Sequence, residues 1–163
     1  MVNITTARCT LSSLKLGDFR DLIRLKTNDK VREYLGGIPK THKVYINLLH
    51  AMFMTKEHHF TVRLTASAEI IGHLIVAPHH NSSDMEISYM FFPAHWGNGY
   101  AKEAVKTLLD FCKIKLKLSH VVSETQVANE RSCRLLEGLG YRRDSEVTRF
   151  GAKQRIYVYD FHE

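Results

Sequence analysis

MEISYMFFPAHWGNGYAKEAVKTLL, residues 85–109, decides how the rest of the chain is read. An apolar strand from Met85 stops at Pro93, crosses a short turn, and passes through Gly97 and Gly99 into an amphipathic helix. Backbone N–H groups left free at such a glycine turn point outward at the positive end of the helix dipole, which outlines a phosphate site. The expected ligand is therefore anionic and pyrophosphate-bearing.

On the helical side, Ala101, Ala104, Val105, Leu108, Leu109 and Cys112 recur at helical intervals and define one buried stripe. Lys102, Lys106, Lys113, Lys115 and Lys117 are spread along the same segment and read as its solvated face, not as a nucleic-acid arm. His120 to Val127 is β-rich and can lie beside the earlier strand through this crossover helix, in a parallel, right-handed β-α-β unit. Asn129 then caps a shorter helix, NERSCRLLEGLG, with Cys133, Leu136 and Leu139 inward and Gly140 as its stop. Tyr141 to Arg149 and Arg155 to Phe161 close the chain as two strands around a polar turn at Gly151 to Gln154.

On the other side, His59 to Leu64 and Ile70 to Ala77 read as strands joined to the one at Met85 by short polar turns, an antiparallel meander. Before them come a first strand at Ala7 to Leu14, a helix opening at Gly17-Asp18 with Asp18 as N-cap, a short helical piece at Asp29 to Tyr34, and a third helix capped by Thr41. The fold class is α/β (α+β): one domain over 1–163, with a mixed, mostly antiparallel sheet of about seven strands, a parallel central pair and flanking helices.

The 163 residues are 44% hydrophobic and 25% charged, which excludes disordered and fibrous classes. No apolar run is long enough to span a bilayer, and the start lacks a signal-peptide layout, so a cytoplasmic protein with no membrane partner is expected. Cys9, Cys112 and Cys133 are odd in number, lack metal-like spacing and read as buried hydrophobes. The ten histidines include the pairs His58-His59 and His79-His80, but neighbours on a strand diverge and no HExxH spacing occurs, so no metal is expected. A net charge of +6 favours a negatively charged partner.

Other phosphate binders fit poorly. No GxxxxGK[ST] loop is present, and a GxGxxG fingerprint from Gly97 fails at Lys102. The runs PAHWGNGYAKEAV and NERSCRLLEGLGYRR instead resemble the acetyl-coenzyme A pyrophosphate loop and the second characteristic segment of the GNAT superfamily of N-acetyltransferases. The match is similar in detail to the branch of the RimJ and RimL acetyltransferases of ribosomal-protein N-terminal amines. Two departures stand out: Trp96 occupies the loop position where the superfamily has Arg or Gln, and Leu136 stands where many relatives carry a Tyr that protonates the leaving thiolate.

The resemblance implies transfer of acetyl from acetyl-CoA, a cosubstrate, to a primary amine by direct attack. The acceptor is either a small molecule or a protein N-terminus. It implies Glu86 as the base and Ser132 as the group that hydrogen-bonds or protonates the sulfur. Main-chain groups near Tyr89, Met90 and Phe91 would bind the pantetheine arm, with Asn129. Trp96, Gly97, Asn98, Gly99, Tyr100 and Ala101 would form the diphosphate loop, with Lys102 and Arg134 meeting phosphate charge. Alternation places Glu86, Ser88 and Met90 on one side of their strand and Ile87, Tyr89 and Phe91 on the other. Relatives are often dimers, which leaves monomer and homodimer both open. Two competing readings are a non-catalytic acetyl-CoA-binding sensor or scaffold and a small nucleic-acid-binding protein; the latter lacks an Arg-rich recognition helix and an RNA-binding aromatic motif.

Overall fold

The period-two stretch from His58 to Phe91 folds as expected. The computed structural model describes residues 2–54 and 56–162, and in it His58–Leu64, Ile70–Pro78 and Met85–Phe91 are the third, fourth and fifth strands in the chain, β3, β4 and β5. They pair antiparallel with Phe60 opposite Leu74 and Leu74 opposite Tyr89. Before them lie β1 (Asn3–Thr5) and β2 (Cys9–Ser13); after them come β6 (His120–Gln126), β7 (Arg142–Arg149) and β8 (Ala152–Asp160). Among the described residues the sheet has eight strands in the order β1-β2-β3-β4-β5-β6-β8-β7, and β5-β6 is its parallel pair.

The strand beyond the expected seven is β1. It carries a single large apolar residue, Ile4, and exists as an edge strand through ladder bonds to β2, a pairing that leaves no hydrophobic alternation to read. The last hairpin also turns earlier than its polar residues suggest. Phe150 and Gly151 both take positive φ, 55° and 74°, making a two-residue turn that pairs Arg149 with Ala152 and draws Ala152–Gln154 into β8.

Helices α1 (Phe19–Lys26), α2 (Asp29–Arg32) and α3 (Thr41–Ala51) precede the meander, α4 (Tyr100–Ile114) connects β5 to β6, and α5 (Glu130–Leu139) connects β6 to β7. Two of the expected caps differ. Asp18 makes no side-chain cap bond to α1; its buried carboxylate instead accepts from the Thr61 hydroxyl and pairs with Arg63, tying the helix entry to β3. Thr41 is the first residue of α3, whose N-cap position is Lys40. Asn129 caps α5 as expected, accepting from Ser132 N–H at 3.2 Å, and Gly140 ends it at φ 97°.

Apolar side chains form two clusters, one on each face of the sheet. Ile87 and Phe91 of β5 pack with Val105, Leu108 and Leu136 of α4 and α5, and the three buried cysteines lie in the same cluster. Met90, pointing the other way, packs against Phe19, Leu22, Leu25, Val44 and Leu48 of α1 and α3. Among the described residues, no helix is long and apolar enough to cross a membrane.

Candidate active site

Strands β5 and β6 pair at a single register position, Glu86 opposite Val122, and Ser123 Oγ donates to Ile87 O at 2.8 Å just beyond it. Past that point β5 continues to Phe91 and β6 to Gln126 without a further ladder pair. Main-chain groups in the second half of β5, from Tyr89 to Phe91, are thereby free of β6 on that side, leaving a groove that an extended ligand can enter.

At the end of this groove lies the glycine loop. Gly97 and Gly99 adopt φ values of 78° and 80°, left-handed conformations that explain why glycine stands at both. A side chain at Gly97 would meet nothing within 4 Å, so the loop opens outward before the N-terminus of α4. Asn98 is clamped from outside: Arg8 donates to its carbonyl at 3.0 Å, and Arg8 is itself held by Glu103 at 2.8 Å and stacked on Tyr100 at 4.4 Å. This open cradle and the free strand edge suit a diphosphate followed by a narrow arm, as in coenzyme A.

Glu86 is half-buried, on the face that carries Ser88 and Met90. Burial raises its pKa; the field of His79 and the nearby Glu124 main-chain N–H oppose the rise, the Glu124 carboxylate adds to it, and Ser88 opposes it. The net direction is upward, toward the range in which a carboxylate can take a proton from an ammonium group. His79 is positioned from beyond the end of β4: Asn81 N–H points at its Nδ1 from 3.4 Å, and its Nε2 meets Glu124 Oε2 at 2.9 Å.

On the opposite face of β5, the Tyr89 hydroxyl lies 2.6 Å from Ser132 Oγ. Burial raises the Tyr89 pKa, so the phenol stays protonated. The sequence assigns Tyr89 only a main-chain role, because strand alternation says which way a residue points, not what it reaches. The available signal was negative, a leucine at 136 where a hydroxyl was wanted, and that leucine is buried in the core.

The remaining expected residues divide. Trp96, Gly97, Asn98, Gly99, Tyr100 and Ala101 are contiguous with the loop, and Trp96 Nε1 donates to Phe91 O at 2.8 Å. Arg131, which the motif reading passed over, stacks its guanidinium on the Trp96 ring at 4.0 Å. Arg134 instead pairs with Glu130 at 3.1 Å on the exposed side of α5, and Lys102 lines a cleft of ≈ 310 Å³ with Gly138 and Tyr159.

The expected divergence of the histidine pairs holds for His58 and His59 but not for His79 and His80. These two follow the end of β4, and their ring centroids are 4.5 Å apart. With Glu124 they bring three potential ligand atoms within 4.8 Å of one another. Arg149, however, lies 2.9 Å from Glu124 and 3.0 Å from His80 Nε2, so a guanidinium already serves as the cation of this cluster.

Comparison with known proteins agrees with this geometry. The model of the acetyltransferase (GNAT) domain matches residues 8–142. The uncharacterized protein YkkB of Bacillus subtilis is 29% identical over 93 residues, a match spanning 56% of this chain and 54% of YkkB. The uncharacterized N-acetyltransferase p20 of Bacillus licheniformis is 25% identical over 153 residues, 88% of this chain and 84% of p20. Among solved structures, a GNAT-family acetyltransferase from Bacillus anthracis superimposes with TM-score 0.86 at 20% identity, covering 98% of each chain. A spermidine N-acetyltransferase from Vibrio cholerae, in complex with CoA and spermine, does so with TM-score 0.82 at 18% identity over 94% of this chain and 96% of that one. A family match over most of the chain, on a sheet that parts at its one parallel pair above a glycine loop, means that this protein belongs to the GNAT acetyltransferase family.

Proposed function

We propose that the protein transfers the acetyl group of acetyl-CoA to a primary amine, with Glu86 as the base and the Tyr89–Ser132 pair as the source of the proton that the leaving thiol needs. The observation that carries this reading is the placement of Glu86 and Tyr89 on opposite faces of β5. A carboxylate with an elevated pKa lies on one face of the strand, a protonated phenol bonded to Ser132 lies on the other, and the groove opens between β5 and β6 beside both.

A primary amine is cationic near neutral pH and cannot attack until a proton is removed. Glu86, in its charged form, takes that proton directly or through a water. Acetyl-CoA supplies the activated thioester carbonyl. As the new N–C bond forms and the C–S bond breaks, negative charge collects on sulfur. Ser132 gives its hydroxyl proton to the sulfur and recovers one from Tyr89, and the second proton shed by the acylated nitrogen restores the Tyr89 phenol. Asn129 fixes Ser132 by accepting its main-chain N–H at 3.2 Å.

The acceptor class has two candidates. The fold likeness to a spermidine N-acetyltransferase puts polyamines in one arm of a test, and the resemblance to the RimJ and RimL branch puts protein N-terminal amines in the other. In either case the amine would approach Glu86 over half-buried Ile75, Ala77 and Ser88, which share its face of the sheet. Release of free thiol from acetyl-CoA, measured against polyamines and N-terminal peptides, tests the reading; binding without turnover across both arms would make the protein a cofactor-binding module.

A further inference from the structure

Trp96 is the chain's single tryptophan, and it joins two elements that the parting of β5 and β6 separates. Its indole N–H donates to Phe91 O at 2.8 Å, which pins the ring to the end of β5. The Arg131 guanidinium, from the first turn of α5, lies over its face at 4.0 Å. Together they form a clasp from one wall of the groove to the other, one residue before Gly97.

Two guanidiniums therefore flank the glycine loop, and their electrostatic states differ. Arg8, on the outer side, is neutralised by Glu103 at 2.8 Å and spends an N–H on the Asn98 carbonyl. Arg131 is exposed and, among the described residues, has no carboxylate partner and no hydrogen bond. One turn on, Arg134 is already paired with Glu130. A guanidinium held by stacking uses its face and leaves its N–H edge for a bidentate oxyanion. Stacking on a ring that is itself hydrogen-bonded also removes much of the freedom an exposed arginine would lose on binding.

We infer that Arg131 is a side-chain ligand of the coenzyme A diphosphate and that Trp96 is the platform that positions it. This rests on the acetyl-CoA reading of the groove. The loop amides alone offer partial charges, and Arg131, stacked on the residue that precedes Gly97, supplies a full positive charge that no carboxylate among the described residues offsets. A lysine could not replace it, because an ammonium group neither stacks as a plane nor forks toward two oxygens.

The test is titration calorimetry of CoA and of dephospho-CoA, with Trp96 emission followed in parallel. In the unaltered protein both ligands bind and both change the emission, since the only indole sits under the cation that engages them. Absence of CoA binding there would overturn the acetyl-CoA reading and this inference together. In Arg131→Ala, affinity for both ligands falls by about tenfold, the size expected for one charge-assisted contact, while Tm stays unchanged because the side chain is exposed. Arg131→Glu falls further, and Arg131→Lys recovers only part of the loss. Undiminished affinity in Arg131→Ala, or a loss confined to CoA and absent for dephospho-CoA, would overturn the inference alone; the second result would move the contact to the 3′-phosphate.

Discussion

The Tyr89 hydroxyl and Ser132 Oγ, 2.6 Å apart, link the middle of β5 to the first turn of α5 across the groove. Neither residue could be assigned this contact from its own neighbourhood in the chain, since they are 43 positions apart. If the pair delivers the proton to the leaving thiol, its members act as one unit. Tyr89→Phe and Ser132→Ala should each lower kcat by about 10- to 100-fold with little change in the KM for acetyl-CoA. The double variant should be scarcely worse than either single one. Steady-state thiol release gives all three numbers, and strict additivity would mean that the two hydroxyls work separately.

Glu86 should govern the acidic limb of the pH–rate profile. Its folded-state pKa is raised, so the charged, proton-accepting form is lost on acidification sooner than for an ordinary carboxylate. The limb of kcat/KM should therefore lie above the usual carboxylate range. Glu86→Gln should cut the rate by roughly 100-fold or more and remove the limb. His79 opposes the rise, so His79→Ala should move the limb to higher pH. A profile that keeps its shape in Glu86→Gln would assign the base elsewhere.

The outer clamp on the loop should set an acid-sensitive part of the stability. Burial acts to raise the Glu103 pKa, but the Thr6 hydroxyl and the Arg8 guanidinium and main-chain N–H outweigh it and hold the carboxyl below its ordinary value of 4.5. A depressed carboxylate stabilises the fold above its unfolded-state pKa, and that contribution fades as pH falls through the folded-state value. Glu103→Gln should thus lower Tm at pH 7, and the gap to the unaltered protein should close on acidification below about 4. Thermal melts across pH 3 to 7 read this directly.

Gly72 is fixed by packing, not by backbone conformation. A Cβ there would stand 2.6 Å from the Phe91 ring and 2.8 Å from Met90 O, in the stretch of β5 where the strand has left β6. Gly72→Ala should destabilise by about 1–3 kcal/mol through overpacking, and the displacement of β5 should also weaken acetyl-CoA binding. Denaturant titration and calorimetry on one preparation separate the two effects.

Much of this architecture is written in local pattern. Period-two alternation gives the meander, the helical stripe after Gly99 gives α4, and Asn129 and Gly140 bracket α5. The glycine loop was equally legible, because two left-handed residues before a helix leave a chemical signature. What escaped detection depends on distant partners. Asp18 has the composition of a helix cap but is claimed by Thr61 and Arg63 of β3, and a buried carboxylate follows its strongest donors. β1 has almost no pattern of its own. Arg131 and Arg134 are equivalent by composition, and only Glu130 on one side and the Trp96 ring on the other tell them apart.

The most direct test of the account is amine-dependent thiol release from acetyl-CoA, assayed with a panel of polyamines and N-terminal peptides for the unaltered protein and Glu86→Gln. The account predicts release above the hydrolytic background with at least one amine, a stoichiometric N-acetylated product, and loss of that rate in Glu86→Gln without loss of acetyl-CoA affinity. Tight acetyl-CoA binding with no acetylated amine in any arm, or full activity in Glu86→Gln, would contradict it.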